Sequence, residues 1–188
     1  LPSYYYFIAA QPALVWGQKP QPGLADFLAE CDRLLAPGDA DFVRAAVGAF
    51  DPAFASQDRW EIPDALARSA LAEWFEWESC LRAELALLRA QALGRAFEGE
   101  SRPLFPDAQG AAKAAFDADS PYQAESILAE ARFLFVQRMR PQGSWDRERV
   151  ALYAVGLAIL DRYHAFTEEA GAPRFEAAYA AILATIGA

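Results

Sequence analysis

Ala67, Leu71, Trp74, Glu78, Leu81, Leu85, Leu88 and Ala92 recur at intervals of four and three, the repeat that keeps one stripe of an α-helix against a partner. The pattern predicts a single uninterrupted helix over about 64–94, roughly 45 Å long at ~1.5 Å per residue. Pro63 cannot lie inside a preceding helix, Asp64 can cap the first free N–H groups, and Gly94 can supply the closing turn. Glu78 is the one charged residue on the stripe, and Arg82 follows it by one turn. Two readings of Glu78 stand: a carboxylate paired locally on a partly open seam, or a buried registry device or docking point for a partner's arginine.

The same periodicity organises the rest of the chain. Residues 3–10, SYYYFIAA, are apolar enough to pack but too few to separate strand from helix. Residues 11–22 hold Pro12, Gly17, Pro20 and Pro22 and read as an irregular connection. Leu24, Phe27, Leu28, Leu34 and Leu35 mark a short helix closed by Pro37-Gly38. Asp39 is then expected to cap a helix with Phe42, Val43, Ala46, Val47 and Phe50 on its inner face. Residues 51–63 read as loop. Residues 96–120 are rich in proline and glycine, so this is the expected place for a hinge, with one short helix over 111–116.

The C-terminal helical group is predicted over 121–187. Ser120-Pro121-Tyr122-Gln123 has a capping serine, proline at the first helical position and glutamine behind it. Ile127, Leu128, Ala131, Leu134 and Phe135 are assigned to one inner face, thickened by Phe133, Val136 and Met139. Pro141 and Gly143 break the chain before Ser144 is expected to cap the next helix, which should run to Gly171. Its middle, residues 150–160, is apolar nearly all round and is therefore expected at the centre of the molecule. A last helix follows Pro173. Together these elements predict an all-α fold in a single helical domain of 188 residues, with no fixed-period repeat.

Composition agrees: 54% of residues are apolar, enough for one sizeable core. A net charge of −9 argues against a nucleic-acid surface, since phosphate contacts need a basic face. Arg132, Arg138, Arg140, Arg147 and Arg149 form a local exception, read as a solvated face with internal ion pairs or as a docking patch for an acidic partner. Cys31 and Cys80 lack metal-ligand or framework spacing and are expected as buried thiols. Residues 4–10 lack the basic start of a signal peptide, and the apolar run 150–160 is too short to cross a bilayer, so a cytoplasmic protein is expected.

Candidate chemistry is sparse. One histidine, His164, follows Asp161 by three residues; with Glu78 the pair makes the best case for a metal-dependent helical enzyme. A satisfied histidine is the plainer reading, and no cofactor or catalytic residue is assigned. No Walker loop, dinucleotide fingerprint or exposed-nucleophile motif is present. Glu73 and Glu76 fall off the stripe and are expected in solvent. Trp74, Phe75 and Trp77 must point to more than one side of the helix; core is the plainer reading and an interface anchor the other. The candidate partner contacts are Trp74, Trp77, Glu78, Arg138, Arg140, Trp145 and Arg147.

Three stretches carry a resemblance: SYYYFIAAQPAL with ADFLAECDRLLAP near the start, AEWFEWESCLRAELALLRAQALGR on the long helix, and residues 127–186 with LDRYHAF and FEAAYAAI. In this order they resemble a bacterial family of unknown function encoded among V/A-type ATP synthase genes. That family is itself similar to a shortened form of the central-stalk component called C in archaeal-type enzymes and d in eukaryotic V-type ATPases. The resemblance covers about the first 36 residues, the long helix and the last 60. It implies a non-catalytic subunit or assembly factor of an ion-transporting rotary ATPase, between rotor shaft and membrane ring and peripheral to the inner membrane through the complex. The break at Arg140-Pro141-Gln142-Gly143 departs from the relatives' more aromatic segment, and the loop over 96–120 is shorter than theirs. No site residue carries over. A soluble helical adaptor of another complex is the alternative from the same class.

Overall fold

A computed structural model describes residues 4–50, 62–97, 105–139 and 145–166. Eight helices occupy 74% of these residues and no strand occurs among them, so the fold is all-α. In chain order they are α1 (Tyr4–Ala9), α2 (Leu24–Leu34), α3 (Pro37–Gly48), α4 (Asp64–Ala67), α5 (Ala72–Ala92), α6 (Pro106–Phe116), α7 (Pro121–Met139) and α8 (Arg147–Ala165). One continuous buried cluster draws side chains from all eight.

Helix α8 is the axis. Every residue from Val150 to Leu160 is buried, as expected of a helix apolar on all sides. It packs against α3 and α7, with α2 and α1 alongside. Asp146, not Ser144, is its N-cap, accepting a hydrogen bond from Arg149 N at 3.0 Å. Near its other end Asp161 accepts from Leu24 N at 2.7 Å, so a carboxylate of α8 satisfies a free N–H in the first turn of α2. The irregular segment over residues 11–23 is pinned by side chains: Tyr153 Oη donates to Pro12 O at 3.0 Å, and the Trp16 ring packs on Phe133 and Tyr163.

The single helix expected over 64–94 is broken. Helix α4 ends at Ala67 and α5 begins at Ala72. Ser69 causes the break locally: its hydroxyl donates to Leu66 O at 2.7 Å and accepts from Leu71 N at 3.2 Å, while Ala70 N donates to Glu148 Oε2 at 3.2 Å. Serine offers these N–H groups a partner other than the helical ladder. Helix α5 is therefore about 32 Å long at ~1.5 Å per residue. On the seam, Leu66 rather than Ala67 is buried, and Trp74, Leu81 and Leu85 follow it inside. Glu73 and Glu76 are exposed, as expected.

Other boundaries moved for definite reasons. Residues 4–9 are helical. Pro37 does not close α2 but opens α3 from the first helical position, where its missing N–H is harmless. Asp39 consequently lies inside the first turn of α3, where it accepts from Tyr4 Oη and pairs with Arg147. Pro106 opens α6 five residues before the expected start, and this helix packs on both α5 and α7, so the described part of the expected hinge is a wedge in the core. Ser120 caps α7 as expected, accepting from Gln123 N at 3.1 Å. The inner face of α7 is rotated from the expected one: Leu134 is 56% exposed, while Leu128, Phe133, Phe135 and Val136 are buried. Helix α8 ends at Ala165, short of the expected Gly171, with Phe166 already outside the helix; the loop over 51–61 and the helix expected after Pro173 lie outside the described residues.

Candidate functional site

Glu78 is the one buried charged residue of the described core, 1% exposed in the middle of α5. Its carboxylate is clamped from two helices. Arg82, one turn along α5, donates Nε to Oε1 at 2.8 Å. Arg132, on α7, donates Nε to Oε2 and Nη2 to Oε1, each at 2.9 Å, the bidentate fork that planar guanidinium and carboxylate groups make. Burial pushes the Glu78 carboxyl up, and the charges and hydrogen bonds of Arg132 and then Arg82 outweigh it, holding the group below its ordinary 4.5. For Arg132, burial opposes the charge and the Glu78 carboxylate more than restores it.

A carboxylate held this way is a poor general acid or base: it stays ionised and both its oxygens are occupied. Glu78 fastens α5 to α7 at a fixed register, as buried polar groups do where neighbouring turns would pack almost equally well. The spacing along α5 does not name Arg132 as the second partner, although a signal exists. Each of the two helices carries one charge among its apolar positions, of opposite sign, and pairing them satisfies both.

The triad lines one wall of an open cleft of about 350 Å³ between α5, α7 and α8. Arg89 of α5, Glu125 of α7 and Arg162 of α8 also face it, above a floor that includes Leu85, Leu128 and Ile159. Tyr163, beside Arg162, neighbours Tyr122 and raises the Tyr122 phenol above its usual range.

The other expected site residues are scattered. Trp74 and Trp77 are each 1% exposed, so the plainer expectation of core residues holds and their candidacy as partner contacts does not. Trp77 stacks on Phe135 at 4.7 Å between ring centroids, which ties α5 to α7 a second time beside Glu78. Arg138 pairs with Asp107 at 3.0 Å and lies over the Phe135 ring. Arg147 lies 4.5 Å over the Phe42 ring and 3.6 Å from Asp39. Arg140 lies outside the described residues.

Trp145 is 40% exposed and packs on Tyr5 at 4.7 Å, with the Arg149 guanidinium 4.9 Å above its ring. With Tyr5 at 51% and Tyr6 at 74% exposure, it makes an aromatic edge that is only partly legible in the sequence, since so short a run as residues 4–6 has no periodic face.

Asp161, Glu78 and His164 are not brought together as a metal site. Asp161 faces α2 and Glu78 is clamped, while His164 Nε2 is buried without a hydrogen-bond partner among the described residues. No group of three metal-binding side chains occurs among the described residues. Cys31 and Cys80 are free and buried; burial, ahead of the nearby Asp32 and Glu30 charges, pushes the Cys31 thiol up to about 12, and Cys80 is raised for the same first reason. No described helix is long and apolar enough to cross a membrane. No family model matches the chain, and neither a curated protein nor a solved structure matches it.

Proposed function

We propose that this chain is a non-catalytic structural subunit or assembly factor of a V/A-type rotary ATPase, similar to the C/d component of the central stalk, joining the rotor shaft to the membrane ring from the cytoplasmic side. The observation that carries the non-catalytic part is the clamp on Glu78: the most deeply placed carboxylate of the described core is committed to holding two helices in register. The aromatic edge at Tyr5, Tyr6 and Trp145, flanked by Arg147 and Arg149, supports a protein contact there, because aromatic and arginine side chains dominate binding energy at interfaces. The choice of complex rests on the resemblance of the three sequence stretches.

Affinity purification of the tagged chain from its native cells, after mild detergent extraction, is expected to recover shaft and ring subunits in fixed ratio. A variant with Tyr6→Ala and Trp145→Ala together should lose them while keeping its helical content and thermal midpoint. Recovery of the chain alone under the same extraction contradicts the proposal.

A further inference from the structure

The cleft beside the Glu78 clamp has a charge opposite to that of the molecule. Among the described residues, Arg82, Arg89, Arg132 and Arg162 face it against Glu78 and Glu125, a positive balance in a chain whose formal net charge is −9. The clamp already balances Glu78, and Arg89 and Arg162 add further positive charge to the cleft wall beside Glu125. Arg132 gives two of its five N–H donors to Glu78. Arg89 is exposed and makes no ion pair among the described residues. The guanidinium of Arg162 lies 5.5 Å from the ring centroid of Phe166, which also lines the cleft.

Size and shape narrow the ligand. A volume of about 350 Å³ falls at the lower end of small-ligand sites, roughly 300–1,000 Å³, for which the space between bundle helices is a common place. Arg82 and Arg89 are seven residues apart on α5, as are Glu125 and Arg132 on α7, so the charged walls are about 10 Å long at ~1.5 Å per residue. Guanidiniums from three helices facing so short a space suit one compact group with several acceptor oxygens. Leu85, Leu128 and Ile159 below, and Phe50 and Phe166 at the sides, suit an apolar or aromatic body attached to it.

We infer that this cleft binds a small organic phosphate monoester, a dianion at neutral pH with three acceptor oxygens, whose apolar body lies on the Leu85–Leu128–Ile159 floor. The two charges of the phosphate suit a wall on which Arg89, Arg132 and Arg162 converge. Arginine supplies the forked donors that phosphate oxygens accept. The inference stands independently of the rotary-ATPase reading.

The test is calorimetric titration of the full chain at low ionic strength with 1-naphthyl phosphate, inorganic phosphate and 1-naphthol. Saturable one-to-one binding of 1-naphthyl phosphate is expected, on the order of tenfold or more tighter than either fragment. Arg89→Ala and Arg162→Ala should each weaken it on the order of tenfold, as loss of a charge-assisted hydrogen bond does. Both should leave the thermal midpoint of the free protein unchanged, and Arg33→Ala, at an exposed side chain of α2, should bind normally.

The inference is overturned by absence of saturable binding, or by inorganic phosphate binding as tightly as the ester, which marks an adventitious ion only. Binding indifferent to Arg89 and Arg162 also overturns it. So does preference for a glutamate- and leucine-rich peptide over the ester, which would assign the cleft to a protein segment.

Discussion

Glu78→Ala lowers the stability of the folded chain by about 3–5 kcal/mol, the usual consequence of removing one partner of a buried ion pair. The carboxylate itself is almost fully buried, and the Arg132 side chain that reaches it is only 16% exposed. Without Glu78, Arg132 must either stay charged in a dry environment or swing out and leave a cavity. For a chain of this length roughly 2–4 °C accompanies each kcal/mol, so the thermal midpoint should fall by roughly 6–20 °C.

Replacing Glu78 and Arg132 together with leucine should cost less than Glu78→Leu alone, because no orphaned charge then remains across the α5–α7 seam, and Arg82, 32% exposed, can turn to water. The pH dependence has a definite sign. The folded-state pKa of Glu78 is depressed, so its contribution is fully present above the ordinary 4.5 and is lost as pH falls through the folded value. The gap between the native chain and Glu78→Gln should therefore narrow in acid and stay constant around neutrality. A cost under about 1 kcal/mol, typical of exposed pairs, would remove the fastening role.

Leu157→Ala is expected to cost about 2–5 kcal/mol, while Leu134→Ala changes stability by no more than about 0.5 kcal/mol. Leu157 is 0% exposed on the helix against which α3 and α7 pack, so truncating it leaves a cavity between them. Leu134 is 56% exposed on the outer side of α7, although its spacing alone suggests the core. Urea unfolding should move the midpoint for Leu157→Ala at unchanged slope and leave it in place for Leu134→Ala. Equal effects would mean that α8 is not the packing axis.

What could be read in advance follows from how local each cause is. The all-α class, the buried run from Val150 to Leu160 and the capped start of α7 depend on periodicity and on residues within one turn of each other. The break between α4 and α5 depends on Ser69 bonding at both ends and on Glu148, far away in sequence, receiving Ala70 N. A stripe count does not record either bond.

The proline at 37 is ambiguous in the sequence because proline is compatible with the residues just after a helix and with the first position of one. Of the site, the Glu78–Arg82 half is visible as an i to i+4 pair. The Arg132 half needs the pairing of α5 with α7. Trp74 falls on the stripe and its burial is legible from spacing, whereas Phe75 and Trp77 lie to either side of it, and the positions of the neighbouring helices are what bury them too.

The most direct measurement of the central claim, that Glu78 is a permanently ionised fastener and not a proton-transfer group, is a carbon-13 NMR titration of the glutamate side-chain carboxyls, with the Glu78 signal assigned by its loss in Glu78→Gln. The carboxylate is expected to remain ionised from neutrality down past pH 4.5, titrating only below that value or together with acid unfolding. A Glu78 carboxyl that takes up a proton above 4.5 in the folded chain would contradict the account.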